Sequence, residues 1–109
     1  PSIIVGRRDV TTVPAQALYL LNSPFILAQS DQMATRVLAS AGDDEARVDQ
    51  AYRLALARSP SAAELQASLG LIRDTLAGLP AGNADKNRRL AWSGLCQALL
   101  ACAEFRYLQ

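Results

Sequence analysis

Histidine is absent from the 109-residue sequence, and aromatic residues make up only 6% of it. Histidine is the commonest general base and a frequent ligand of zinc and haem, so its absence disfavours most catalytic and metal-binding classes. The net charge of +1 provides no overall field to attract nucleic acid or an anionic membrane. We therefore expect no bound cofactor, no metal and no nucleic-acid partner.

Residues that favour β-strands are also scarce, because Val, Ile and Thr together number only 13. Ala and Leu, which are strong helix formers, make up about a third of the chain. The composition therefore predicts an all-α protein, and the length suits one domain. We expect a compact bundle of about five helices over residues 14–109, preceded by an extended segment over residues 1–13.

Proline and capping residues predict where the first three helices begin. Pro14 suits a first helical position, and Ser23 before Pro24 predicts an N-cap and a second start. The second helix is expected to run from Pro24 to about Ala41, with buried residues on one face and Gln29, Gln32 and Arg36 opposite. Asp43 or Asp44 caps the third helix, where Leu54 lies off the buried stripe, which suggests a second neighbour.

The last two helices carry the clearest patterns. Ser61 and Glu64 have the spacing of a capping box, and the fourth helix follows them. The fifth is expected to begin near Lys86 and to be apolar on nearly every side from Leu90 to Ala103, which predicts a central position in the bundle. This apolar run is too short to cross a bilayer. The expected core residues of these two helices are Leu65, Leu69, Ile72, Leu76, Trp92, Leu95 and Leu99.

Few residues are candidates for chemistry. Cys96 and Cys102 are six positions apart on one predicted helix and cannot bridge without unwinding it, so two small buried residues are the favoured interpretation over a metal or redox pair. Glu104 is the carboxylate without an evident structural role, and a glycosidase would need a second carboxylate nearby in a cleft. We therefore name Glu104 only as a weak catalytic candidate.

Two pairs of arginines are the candidates for interactions with anions or partners. Arg7 and Arg8 precede the first helix start, and Arg88 and Arg89 lie in the first turn of the fifth helix, near Trp92 in the sequence. No basic stripe develops around either pair, so solvated arginines or salt bridges are favoured over contacts with a phosphate backbone.

Three blocks of the sequence resemble a known family. The first is Thr11-Thr12-Val13-Pro14, continued by Gln16-Ala17-Leu18 and Leu20 to Phe25. The second comprises Tyr52-Arg53, Leu56, Arg58, Pro60 and Glu64-Leu65, and the third comprises Trp92, Leu95-Cys96, Ala98 to Leu100, Glu104-Phe105 and Tyr107. Together they resemble the planctomycete-specific C-terminal domain of unknown function, which occurs in large proteins that often carry a cytochrome-c-like domain. Ala57 and Ser59 depart from the pattern, which usually has Gly and Glu there.

The resemblance implies that the chain is the C-terminal part of a longer domain in a protein exported to the cell envelope. It brings no established activity. The leading hypothesis is a non-catalytic helical module that packs on the preceding part of its own chain, with self-association as a further option. The alternatives are a fragment of a polysaccharide-acting enzyme that contributes Glu104, and a weak nucleic-acid-binding helical domain.

Overall fold

The final helix organises the fold. The structure is a computed structural model that describes residues 2–4 and 12–108, with side chains described from residue 18 to residue 106. The four α-helices of this part of the chain are α1 (Pro24–Ala39), α2 (Asp44–Leu56), α3 (Ala62–Gly78) and α4 (Ala84–Leu108). A 3-10 helix, Ala15–Asn22, precedes α1. α4 packs against the 3-10 helix, α1, α2 and α3, which confirms the all-helical bundle around a C-terminal helix.

Two three-residue strands precede the helices. β1 (Ser2–Ile4) pairs antiparallel with β2 (Thr12–Pro14), with Ile3 opposite Val13. The expected extended segment over residues 1–13 includes residues that lie outside the described part of the chain, so the proposed domain boundary stays a prediction.

The prediction of about five helices is corrected to four α-helices and one 3-10 helix within the described residues. The segment that was expected to be the first helix has only eight residues, and the Ser23 N–H bonds to the carbonyl of Leu20 at 3.1 Å. Pro24 has no N–H with which to continue the ladder, so the segment ends before it gains the cooperativity of a long α-helix. The Gln97 Nε2 on α4 donates to the carbonyl of Leu21 and holds this short helix against the bundle.

The caps explain most of the observed helix ends. Ser61 and Glu64 form a complete capping box, and Asp43 accepts from the Ala46 N–H. Asn83 accepts from the Lys86 N–H at 3.0 Å, so α4 begins at Ala84, slightly before the expected start at Lys86. Ser23 occupies the N-cap position of α1 but makes no side-chain cap bond, contrary to the capping role that the sequence suggested.

The turn between α1 and α2 contains a position that requires glycine. Gly42 has a φ of 113°, which L side chains rarely adopt, and a Cβ there would lie 3.2 Å from the Cβ of Ala46. α1 ends at Ala39, before the expected limit of Ala41, because Ser40 already has an extended conformation with a φ of −75° and a ψ of 147°.

The core lies between α4 and the three other α-helices. Its largest fully buried side chain is Trp92, and the Tyr52 hydroxyl lies 3.1 Å from the Ser68 hydroxyl in the interior. Of the residues expected in the core, Ile72, Trp92, Leu95 and Leu99 are buried, whereas Leu65, Leu69 and Leu76 are half-buried and pack against the cluster. α3 is thus a one-sided helix at the edge of the bundle.

Candidate functional site

A groove opens between α1 and α2, with α4 as its floor. α1 packs extensively on α4 but much less on α2. The resulting cavity has a volume of about 360 Å³, which is at the lower end of the range for small ligand sites. Its lining comprises Gln29, Gln32, Met33, Arg36, Leu54 and Leu100.

The α1 wall of this groove arises from helical periodicity. Gln29, Gln32 and Arg36 recur at spacings of three and four residues, which places them on one stripe beside the buried face of α1. The sequence indicated that these residues lie opposite the core. The structure shows that they also line a concave surface, because Leu54 on α2 and Leu100 on α4 lie across from them.

The apolar part of the groove is only partly covered. Leu54 is 39% exposed and Leu100 is half-buried, whereas Met33 is only 8% exposed. Leu54 lines this cavity together with side chains of α1 and α4, and the second neighbour suggested for it stays a prediction. Amide groups on one wall and apolar groups on the floor and opposite wall make the groove suitable for an amphipathic ligand.

Arg36 gives the groove its charge. No ion pair joins Arg36 to any other side chain within the described range, residues 18–106. Among the residues whose side chains are described, the lining contains no carboxylate. Arg36 is an exposed residue in the last turn of α1, where a cation interacts favourably with the helix dipole.

Arg88, in contrast, takes part in a structural network. Its Nη2 lies 2.6 Å from the Asp44 Oδ1, which also accepts from Arg47 at 3.0 Å. The hydrogen bond from Arg88 is the main reason that the pKa of Asp44 lies below its usual value, and Arg47 lowers this pKa further. The Arg88 guanidinium also lies 5.9 Å from the centroid of the Trp92 ring.

The other sequence candidates lie in different places. Arg89 lines a second cavity of about 220 Å³ with Asp31, Ala34, Lys86 and Leu90. Glu104 is half-buried on α4, away from the groove lining. Arg7 and Arg8 lie outside the described residues. Of the candidates within the described residues, neither Arg88 nor Glu104 lines the cavity that Arg89 lines.

Burial accounts for the two cysteines, and hydrogen bonds at a helix start account for the capping glutamate. Cys96 is buried in the core, and this burial raises the pKa of its thiol to about 12. Burial also raises the pKa of Cys102. Glu64 accepts from Arg58 at 2.7 Å and from the backbone of Ser61, and the bond from Arg58 is the main cause of its lowered pKa.

The described residues contain neither a metal-binding cluster nor a helix that could span a membrane. No three side chains among His, Cys, Asp and Glu lie close enough together there to hold a metal ion. None of the described helices combines the length and the apolarity that a membrane span requires.

The fold and the groove define a small α-helical bundle with an open, partly apolar surface cleft. The sequence profile of the PSD1 family, proteins of unknown function (DUF1553), matches residues 1–72, and the chain belongs to this family. Searches among curated proteins and among solved structures found no match.

The groove was the main feature that sequence reasoning missed. Its two glutamines and Arg36 have the polar character of any solvated helix face. The only signal in the sequence was Leu54, an apolar residue off the buried stripe of its helix. Which residues of α1 and α4 lie across from Leu54 depends on how the helices pack.

Proposed function

We propose that this chain is a non-catalytic helical interaction module of a larger exported or envelope protein, and that it packs against the preceding part of that protein. The observation that carries the proposal is the exposure of large aromatic side chains at one junction of the fold. Tyr19 is 64% exposed and Phe25 is 61% exposed, on either side of the step from the 3-10 helix to α1.

Exposed aromatic residues are common anchors of protein interfaces. Tyr and Phe each bury a large area with little loss of side-chain entropy, and they are enriched in interface cores. Here they lie in the N-terminal third of the chain, so a preceding segment would be tethered near them at high effective concentration. The resemblance of the three sequence blocks to a C-terminal domain supports a partner in the same longer protein.

The proposal can be tested by hydroxyl-radical footprinting of the 109-residue chain and of the intact longer protein. The rings of Tyr19 and Phe25 should react readily in the isolated chain and should be protected in the intact protein. Leu90 is 49% exposed on α4 and serves as the matched control, since its reactivity should be equal in both. Equal reactivity of Tyr19 and Phe25 in the two proteins would contradict the proposal.

A variant and an assembly measurement complete the test. The double substitution Tyr19→Ser with Phe25→Ser should weaken binding of the chain to the separately produced preceding segment by at least tenfold, as expected for the loss of two aromatic anchors. The Leu90→Ser variant should bind like the wild type. If light scattering shows that the aromatic pair instead mediates self-association, the partner is a second copy and the proposed partner is wrong.

A further inference from the structure

We propose that the groove between α1 and α2 binds an amphipathic helix that carries an acidic side chain beside its apolar face. This proposal rests on the proposed interaction role, but it concerns a different surface. The groove lining contains neither Tyr19 nor Phe25, so the two surfaces can be tested separately.

The shape of the groove favours a helix as its occupant. α1 and α2 are held together near the turn that joins them, where the Ser40 hydroxyl donates to Gln50 at 2.6 Å. They enclose a cavity between residues 29–36 of α1 and Leu54 in the last turn of α2, with the half-buried Leu100 of α4 in its lining. This arrangement has the form of a helix bundle with one position unfilled, and an amphipathic helix laid in such a cleft buries one face while the other stays in water.

The chemistry of the lining sets the pattern that the occupant must carry. Met33, Leu54 and Leu100 offer an apolar strip, to which Leu or Ile side chains at helical spacing would pack. Gln29 and Gln32 border this strip on α1 and have amide groups that can both donate and accept hydrogen bonds.

Charge complementarity determines the sign of the partner. Arg36 is exposed, makes no ion pair with another described side chain, and lines a groove in which none of the described lining residues is a carboxylate. An Asp or Glu on the bound helix would form a salt bridge there, whereas a Lys or Arg would be repelled. At an exposed rim such a pair is worth up to about 1 kcal/mol, which is about a fivefold preference in affinity.

The single methionine provides a direct reporter of occupancy. Met33 is the only methionine of the sequence and lies in the groove lining, so its ¹³C-labelled methyl group gives one assigned NMR signal. The probe is a set of designed amphipathic helical peptides with identical Leu positions, in which the flanking polar positions carry Glu, Gln or Lys. The Glu peptides should shift the Met33 signal and bind about threefold to fivefold more tightly than the Gln peptides, and the Lys peptides most weakly.

Two pairs of variants separate the charge from the apolar contact. Arg36→Gln should abolish the preference for Glu, while Arg73→Gln, which removes an exposed arginine of α3 outside the lining, should preserve it. Leu54→Ser should weaken all peptides by about tenfold. Leu27→Ser is the matched control, since Leu27 is 43% exposed but lies outside the groove. Fluorescence of Trp92, the only tryptophan, verifies that each variant is folded.

The outcomes distinguish this proposal from the proposed function. Absence of a Met33 shift with every peptide, or a preference for Glu that survives Arg36→Gln, would overturn the groove assignment. Protection of Tyr19 and Phe25 in the intact protein would then still support an interaction module that acts through the aromatic surface alone. If Tyr19 and Phe25 are not protected in the intact protein but the Glu peptides still shift the Met33 signal, only the proposed contact with the preceding segment is overturned.

Discussion

The α1–α2 pair differs at its two ends. At the joined end, Ser40 bonds to Gln50, and Arg47 donates to the carbonyl of Ser40 and to Asp44, which also accepts from Arg88 of α4. At the open end, in the last turn of α2, Leu54 lies across a cavity from the glutamines of α1, and Arg36 lines the same cavity nearer the joined end. One pair of helices is thus tied by polar groups at one end and leaves apolar surface accessible at the other. Polar contacts and accessible apolar surface thus occupy different parts of the same helix pair.

The largest expected loss of stability follows from a substitution of Trp92, which lies beneath the joined end. This side chain is fully buried and lies under the Arg88 guanidinium. Trp92→Ala should destabilise the chain by about 3–5 kcal/mol, because it leaves a large cavity in the core. Urea denaturation followed by far-UV circular dichroism measures the loss, with Trp92→Phe as the milder control. A loss below about 1 kcal/mol would show that the core around α4 is packed differently.

A smaller effect is expected at Asp44, which joins α2 to α4. Its pKa is lowered in the folded chain, chiefly by the hydrogen bond from Arg88. A lowered folded-state pKa means that the carboxylate contributes stability above its unfolded pKa, and that this contribution is lost as the pH falls through the folded-state pKa. Because Asp44 is 40% exposed and solvent screens the ion pair, Asp44→Asn should cost at most about 1 kcal/mol at neutral pH and much less in strong acid.

The measurement for Asp44 is a series of denaturation curves from neutral pH to about pH 2, below the usual range of a carboxyl pKa. Glu45→Gln is the matched control, since it removes the same charge from the same helical turn and Glu45 is exposed. If the two variants show the same pH dependence, the contact between Asp44 and Arg88 contributes nothing specific to the joined end.

At the open end of α2, Ala57→Gly should increase stability. Ala57 ends the helix with a φ of 59° and a ψ of 30°, a left-handed conformation in which a Cβ is unfavourable. Glycine should raise the free energy of unfolding by about 0.5–1 kcal/mol, after its larger entropy in the unfolded chain is subtracted. Thermal unfolding measures the gain. The control Ala55→Gly, inside the helix, should have the opposite sign, and a loss at both positions would contradict the assigned conformation.

The smallest effect on stability is expected at Leu54, on the wall of the groove. Leu54→Ser should change the free energy of unfolding by about 0.5 kcal/mol or less, because surface substitutions outside the packed core are usually nearly neutral. Leu56, half-buried on the same helix, gives the comparison, since Leu56→Ser should cost considerably more in the same denaturation experiment. A large loss at Leu54 would mean that the groove is closed by packing rather than open for a partner.

Much of the fold could be predicted from particular residues. The capping box at Ser61 and Glu64 formed as its spacing indicated, and Trp92, Leu95 and Leu99 lie inside the bundle. The first helix was predicted wrongly, because the apolar pattern of residues 15–22 suits an α-helix and a 3-10 helix equally. The short length of this segment, which lies between Pro14 and Pro24, favours the 3-10 helix over the α-helix. The left-handed conformation at Ala57 was also not evident, since alanine is a strong helix former.

The sequence by itself determined the all-helical class, most helix starts and the buried face of α4, because these follow from periodicity and from capping interactions between neighbouring residues. Only the tertiary structure decided that Arg88 pairs with Asp44 while Arg36 remains available at an open groove. The physical reason is that these relations join residues far apart in the chain. They depend on the angle at which α1 and α2 pack on α4, and local periodicity does not specify that angle.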